Sequence, residues 1–177
     1  MRLTIIGNCG SGKSTLARTL SERFDIPHLH LDRLWFEAGG HLLKSDDAEG
    51  REKVRAYIRE RVEEFIVQED WVSDGWYPRV QGAIAARADR VIFLDIPLWR
   101  RLFNHLRRTF FSERHQELRT WDDIKFLSQI VRRTFTHGEQ MKKFVVENRE
   151  RVTTLRTYSG VEMFLENIST PHTARPY

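Results

Sequence analysis

Nine residues near the start, Gly7 to Thr15, read GNCGSGKST and follow directly on the apolar run LTII. Three glycines, a lysine and three hydroxyl side chains in so short a space suit the binding of a polyphosphate. Gly7, Gly12, Lys13 and Ser14 fill every specified position of G-x-x-x-x-G-K-S/T. Glycines let successive backbone N–H groups turn inward around a phosphate, and the helix expected from Ser14 adds the positive end of its dipole. The segment Gly7, Asn8, Cys9, Gly10, Ser11, Gly12, Lys13, Ser14 and Thr15 is therefore the expected nucleotide-binding site. Within it Lys13 would reach the β- and γ-phosphates, and the Ser14 hydroxyl would hold magnesium. ATP, or another nucleoside triphosphate, and Mg2+ are the expected cofactors. Cys9 admits two readings: a small residue that fits, or a thiol made reactive at the foot of a helix.

A phosphate loop does not say what receives the phosphate. Open parallel sheets bind ligands at the carboxyl ends of their strands, and three further strand ends here carry an aspartate. They are Asp32, Asp74 followed by Gly75, and Asp95. Trp35, Phe36, Trp76 and Tyr77 follow two of them closely and suit either an aromatic pocket wall or core packing. His28 and His30 alternate on a strand and His41 falls in a loop, so no pair has metal-ligand spacing.

The elements that must position these residues are short. RLTII (2–6), PHLHL (27–31), DWVSD (70–74), RVIFLD (90–95) and RVTTLRT (151–157) read as strands. Helical stripes lie between them: Leu16, Leu20 and Phe24; Val54, Ile58, Val62 and Phe65; Leu98, Leu102, Leu106 and Phe110; Ile124, Leu127, Ile130 and Val131; Met141, Phe144 and Val145. Ser159 with Glu162 three residues on has capping-box spacing before a last helix through Val161, Phe164, Leu165 and Ile168. EAGGHLLKSDD reads as a loop. Strands alternating with helices predict an α/β three-layer sandwich, a five-stranded parallel sheet covered by helices on both faces. Residues 98–149 are too long for one crossover and predict a helical insertion. The expected organisation is a single domain over 1–168, with the insertion over about 99–149 and a flexible tail over 169–177.

The phosphate loop, FDIPHLHLDRLWF, WVSDGWYPR and VIFLDIP together resemble the adenylate-kinase-like branch of P-loop NTPases and kinases. Within that branch the likeness is greatest to the DNA topology modulation (FlaR-like) proteins, strong to about residue 110 and loose beyond. DGWYPR resembles the kinase signature D-G-F-P-R with one residue added. The resemblance implies that Asp74 sits near magnesium and its waters, and that Arg79 holds an acceptor phosphate or other anion. It places Asp32 where related kinases of sugars and hydroxy acids keep a carboxylate against the acceptor hydroxyl. A carboxylate can orient or deprotonate a hydroxyl, so Asp32 points toward an alcohol acceptor. Arg107 and Arg108 fall at the spacing of lid arginines that offset charge on the transferring phosphoryl group, and Arg132 and Arg133 are further lid candidates.

A chain of 177 residues, 40% hydrophobic and 31% charged, suits one well-solvated globular domain and argues against wholesale disorder. No apolar run reaches the length of a membrane helix and the residues before Gly7 leave no room for a secretory h-region, so a cytoplasmic protein is expected. The single cysteine cannot form an internal disulfide. Between Trp99 and Arg156 fourteen Lys/Arg stand against seven Asp/Glu, which concentrates the net charge of +4 in the second half. Such a field suits polyanions. The leading expectation is an ATP/Mg-dependent phosphotransferase acting on a small-molecule or nucleotide acceptor. The alternative is a nucleotide-dependent, nucleic-acid-associated regulator with NTPase activity, although no helix-turn-helix, zinc-finger or RNP pattern is present.

Overall fold

The computed structural model describes residues 1–44, 46–103 and 136–168. Five strands make one parallel sheet in the order β2-β3-β1-β4-β5. They are β1 (Arg2–Gly7), β2 (His28–His30), β3 (Trp71–Asp74), β4 (Arg90–Leu94) and β5 (Val152–Leu155). In register, Ile5 faces Asp74 on one side and Ile92 on the other, and His30 faces Asp74 across β2 and β3. The strands predicted from the sequence are all present: β1 runs one residue further, to Gly7, and the other four are shorter than predicted.

β1 is buried along nearly its whole length because it lies at the centre of the sheet with helices on both faces. On one face Leu3, Ile5, Val72, Ile92 and Leu94 pack against Leu16, Ala17 and Leu20 of α1 (Lys13–Phe24) and against Ile168. The last helix, Tyr158–Asn167, adds Val161, Phe164 and Leu165. On the other face Trp71 is enclosed by α2 (Leu31–Glu37), α3 (Ala48–Ile66) and α4 (Pro78–Arg87), through Leu34, Ile58, Val62 and Ile84. Each fully buried Leu or Ile contributes about 1.5–3 kcal/mol over an exposed one. At the polar centre of the sheet Thr4 Oγ1 accepts from Ser73 Oγ at 3.0 Å and from Gln81 Nε2 at 3.4 Å.

Three local expectations change. Strand β2 stops at His30, and Leu31 opens α2 because Leu31 and Leu34 are both buried, so Asp32 sits in the first turn of a helix. EAGGHLLKSDD is not all loop: it holds the end of α2, a 3-10 turn over Gly40–Leu42, and Asp47, which caps α3 by accepting from Gly50 N at 2.7 Å. The cap of the last helix is Thr157, whose hydroxyl accepts from Gly160 N at 3.0 Å, so Ser159 lies inside the helix.

After β4, residues 98–103 are helical (α5), as are residues 136–147 (α6), which makes Tyr158–Asn167 α7. The stripe through Met141, Phe144 and Val145 lies on α6 and packs against Val91, Phe93 and Trp76. Leu106 and Phe110, the stripe from Ile124 to Val131, the arginines Arg107, Arg108, Arg132 and Arg133, and the tail over 169–177 lie outside the described residues.

Candidate active site

The turn from β1 to α1 takes its shape from glycine. Gly10 and Gly12 have φ of 78° and 92°, the left-handed region that a side chain disfavours. A Cβ at Gly7 would come within 2.9 Å of the Leu94 carbonyl and of Ser11 Oγ. Gly12 is the N-cap of α1 and offers no side chain to its first N–H groups. The Ser11 N–H closes the loop on Asn8 O at 3.2 Å, while Ser11 Oγ and Asn8 Oδ1 are buried with no hydrogen-bond partner among the described residues. Uncapped N–H groups, orphaned polar atoms and a half-buried Lys13 on one turn fit a phosphate chain. Thr15, the second residue after Lys13, is exposed.

Behind the loop stands Asp74, fully buried at the carboxyl end of β3. Ser14 Oγ donates to its Oδ2 at 2.6 Å, and His28 Nε2 lies 2.7 Å from its Oδ1. His30 Nδ1 is 3.3 Å from the same oxygen, without hydrogen-bond alignment. Burial pushes the Asp74 carboxyl up, but hydrogen bonds from His28 and Ser14 and the charge of the two histidines outweigh it, so its pKa lies below the ordinary value. A hydroxyl beside an ionised carboxylate is a donor set of hard oxygens and suits Mg2+. The histidines that alternation alone left unassigned thus converge on the carboxylate of the neighbouring strand. Gly75 follows with φ of 127°, and a Cβ there would come within 2.8 Å of Leu31 Cβ.

In front of the loop lies a cavity of about 470 Å3. Gly7, Asn8, Cys9 and Lys13 form its floor, and Asp32 and Arg79 lie on its walls. Trp35, Trp76 and Tyr77 line it too, whereas Phe36 does not and is 56% exposed. The cavity therefore joins the two kinds of residue that the sequence separates by about 20 to 70 positions, loop and acceptor side. Asp95 is not among its lining residues. Its Oδ2 lies 3.5 Å from Arg156 Nε and its N–H bonds Leu155 O, so it serves the β4–β5 edge.

Arg101 was not legible as part of the site. It is 2% exposed, with Nε donating to Ile96 O at 3.0 Å and Nη1 donating to Cys9 O at 3.1 Å. The buried guanidinium ties α5 to the phosphate loop. Burial lowers its pKa while Cys9, Tyr158 and Asp95 push the other way, and an arginine stays protonated throughout. Nothing in DIPLWRR distinguishes Arg101 from its exposed neighbours, because burial of a cation is a tertiary property. The row Arg51, Arg55 and Arg59, all on the cavity wall, was likewise unassigned. Its four-residue spacing on α3 was the available signal.

No family model matches the sequence, and no curated protein matches it. Solved structures do. Shikimate kinase from Bacteroides thetaiotaomicron superposes with a TM-score of 0.58 at 17% identity, covering 94% of this chain and 97% of that one. Shikimate kinase from Acinetobacter baumannii, solved in complex with shikimate, gives 0.56 at 16% identity over 93% and 89%. A Thermus thermophilus protein gives 0.55 at 18% identity over 96% and 98%. Each likeness extends over nearly the whole of both chains. The chain has the α/β fold of the P-loop kinases, a five-stranded parallel sheet between two layers of helices.

Proposed function

We propose that the chain is an ATP- and Mg2+-dependent phosphotransferase whose acceptor is a small molecule with a hydroxyl group. The observation that carries this reading is the continuity of the cavity, which holds the phosphate loop at its floor and Asp32 and Arg79 on its walls.

The nine residues Gly7 to Thr15 form the nucleotide segment, with backbone N–H groups on the phosphates and Lys13 on the β- and γ-phosphates. Ser14, through its hydroxyl, and Asp74, near the ion and its waters, would hold Mg2+. Bound Mg2+ neutralises charge on the phosphates. Asp32 lies in the first turn of α2, where it orients the acceptor hydroxyl and takes its proton. The hydroxyl oxygen bonds to the γ-phosphorus as the bond from that phosphorus to ADP breaks, and the proton held on Asp32 passes to solvent. Arg79 fixes an anionic group of the acceptor. Arg107 and Arg108, with Arg132 and Arg133 as further candidates, lie outside the described residues; the role proposed for them is to offset charge on the transferring group.

Among the described residues nothing adds to the nucleic-acid reading. Of the basic surplus of seven on which it draws, three fall in residues 104–135, outside those described, and four on described residues, and a lid over polyphosphate calls for arginines as well. A thermal-shift screen of the protein with Mg–ATP and nucleosides, nucleotides, sugars and hydroxy acids tests the proposal, because a ligand of the native state raises its apparent stability. A hydroxyl compound that stabilises the nucleotide-bound protein and then accepts the label from [γ-32P]ATP is expected. Stabilisation by duplex DNA alone, with no transfer, would overturn it.

A further inference from the structure

Among the described residues Asp74 is the one fully buried carboxylate, and its two oxygens are answered from different elements. Ser14 Oγ of α1 donates to Oδ2 at 2.6 Å, while His28 Nε2 of β2 stands 2.7 Å from Oδ1. β2 is an edge strand of only three residues, yet two of the three are histidines. Parallel pairing sets His28 beside Val72 and His30 beside Asp74, so alternation turns both imidazoles to the face that carries the carboxylate. The two rings lie nearly parallel, 14° apart with centroids at 6.1 Å. His30 Nδ1 approaches the same oxygen at 3.3 Å without alignment. Neither histidine is among the residues that line the cavity, which separates them from the acceptor side.

The terminal torsion of an aspartate is broad and roughly two-fold, so a carboxylate held at one oxygen can still turn. Held at both, it is fixed. With Oδ1 occupied by His28, Oδ2 is left to accept the Ser14 proton, and the lone pairs of the Ser14 oxygen then face away from the carboxylate. A hydroxyl whose proton is committed in this way presents a hard oxygen to a cation.

We infer that His28 is a positioning residue for the divalent cation of the nucleotide site: it locks the Asp74 carboxylate, which in turn aims the Ser14 oxygen at Mg2+, with the His30 ring alongside. The cation itself rests on the phosphotransferase reading. Groups one contact removed from a metal ligand fix its orientation, and their loss costs about ten- to a hundredfold in metal affinity. The cost depends on the cation. Mg2+ demands near-ideal octahedral geometry whereas Ca2+ accepts a flexible one, so a loosened Asp74 penalises Mg2+ more. A histidine that only filled a buried corner would weaken every form of the site alike.

Calorimetric titrations of AMP-PNP in Mg2+, in Ca2+ and in EDTA separate these cases. Wild type should bind most tightly in Mg2+. His28→Leu should lose at least tenfold of the Mg2+ affinity, with less than threefold change in Ca2+ and in EDTA, and the EDTA value also certifies the fold and the phosphate loop. His28→Gln, whose amide nitrogen falls near the place of Nε2, should recover most of the Mg2+ affinity. His30→Phe, which keeps a flat ring beside His28, should stay within about threefold of wild type. Mg2+ affinity unchanged in His28→Leu, or lowered equally in all three conditions, overturns the inference while leaving the phosphotransferase reading in place. A loss in His30→Phe as large as in His28→Leu overturns the assignment to His28. Wild-type affinity that is the same in Mg2+ and in EDTA would strike the cation of the phosphotransferase reading, and the inference with it.

Discussion

At the scale of single residues, the proposed phosphate site gives Lys13 and Asp74 different work. Lys13 lines the cavity and packs little, so Lys13→Ala should leave the fold intact and lower ATP affinity. A charge-assisted hydrogen bond of about 1.5–3 kcal/mol corresponds to a loss of roughly ten- to a hundredfold, read by equilibrium dialysis. Asp74 is held by the fold itself, and its pKa is lowered on folding. The stabilisation it brings is therefore fully present above its unfolded value of about 3.9 and is lost as pH falls through the lower folded value. Urea melts across pH 2–6 should show this acid loss of stability, and Asp74→Asn should flatten it over that window. An identical acid limb in the variant would mean that other carboxylates set it. The glycine turn from β1 to α1 was legible residue by residue because its geometry is local. Arg101, His28 and His30 were not, because each acts on an atom far away in sequence: the Cys9 carbonyl for Arg101, and the Asp74 carboxylate for the histidines.

At the scale of elements, helix ends and strand ends decide where the site falls. β1 delivers Gly7 and β3 delivers Asp74 at the same edge because their register sets Ile5 beside Asp74. Arg101 then fastens α5 to the loop from behind. Arg101→Met removes the donor to Cys9 O and leaves that carbonyl unanswered, which should cost about 1–3 kcal/mol of stability in denaturant melts. Because the loop is what loosens, ATP affinity should fall as well, and undisturbed affinity would show that the tie is structural only. Thr157→Ala should cost about 1 kcal/mol through the lost cap, where Ser159→Ala should cost little. Apolar runs announced all five strands, since a buried parallel strand has few other compositions. The sequence reading placed no helix over 31–37 or 78–87, although Pro78 at the first helical position with Val80 and Ile84 buried four apart was a signal for the second. Leu31 to Glu37 is only two turns, too short for a stripe to be told from the end of the strand before it.

At the scale of the whole molecule, the order β2-β3-β1-β4-β5 was not legible, because strand pairing is fixed by packing between segments distant in the chain. That order sets the β2 and β3 ends, with Asp32 and Asp74, on one side of the phosphate loop, and β4 with Asp95 on the other. Asp95 accordingly pairs with Arg156, while Asp32 reaches the cavity. A strand-end aspartate is thus informative only with its place in the sheet. Among the described residues no helix is long and apolar enough to cross a membrane. The measurement closest to the central claim is transfer of label from [γ-32P]ATP and Mg2+ to small hydroxyl compounds, compared between wild type and Asp32→Asn. The account predicts a labelled phosphoester with wild type, and a rate lower by about 10²- to 10⁴-fold in Asp32→Asn with ATP affinity preserved. Transfer that is unchanged in Asp32→Asn, or absent for every hydroxyl acceptor while duplex DNA binds tightly at physiological salt, would contradict it.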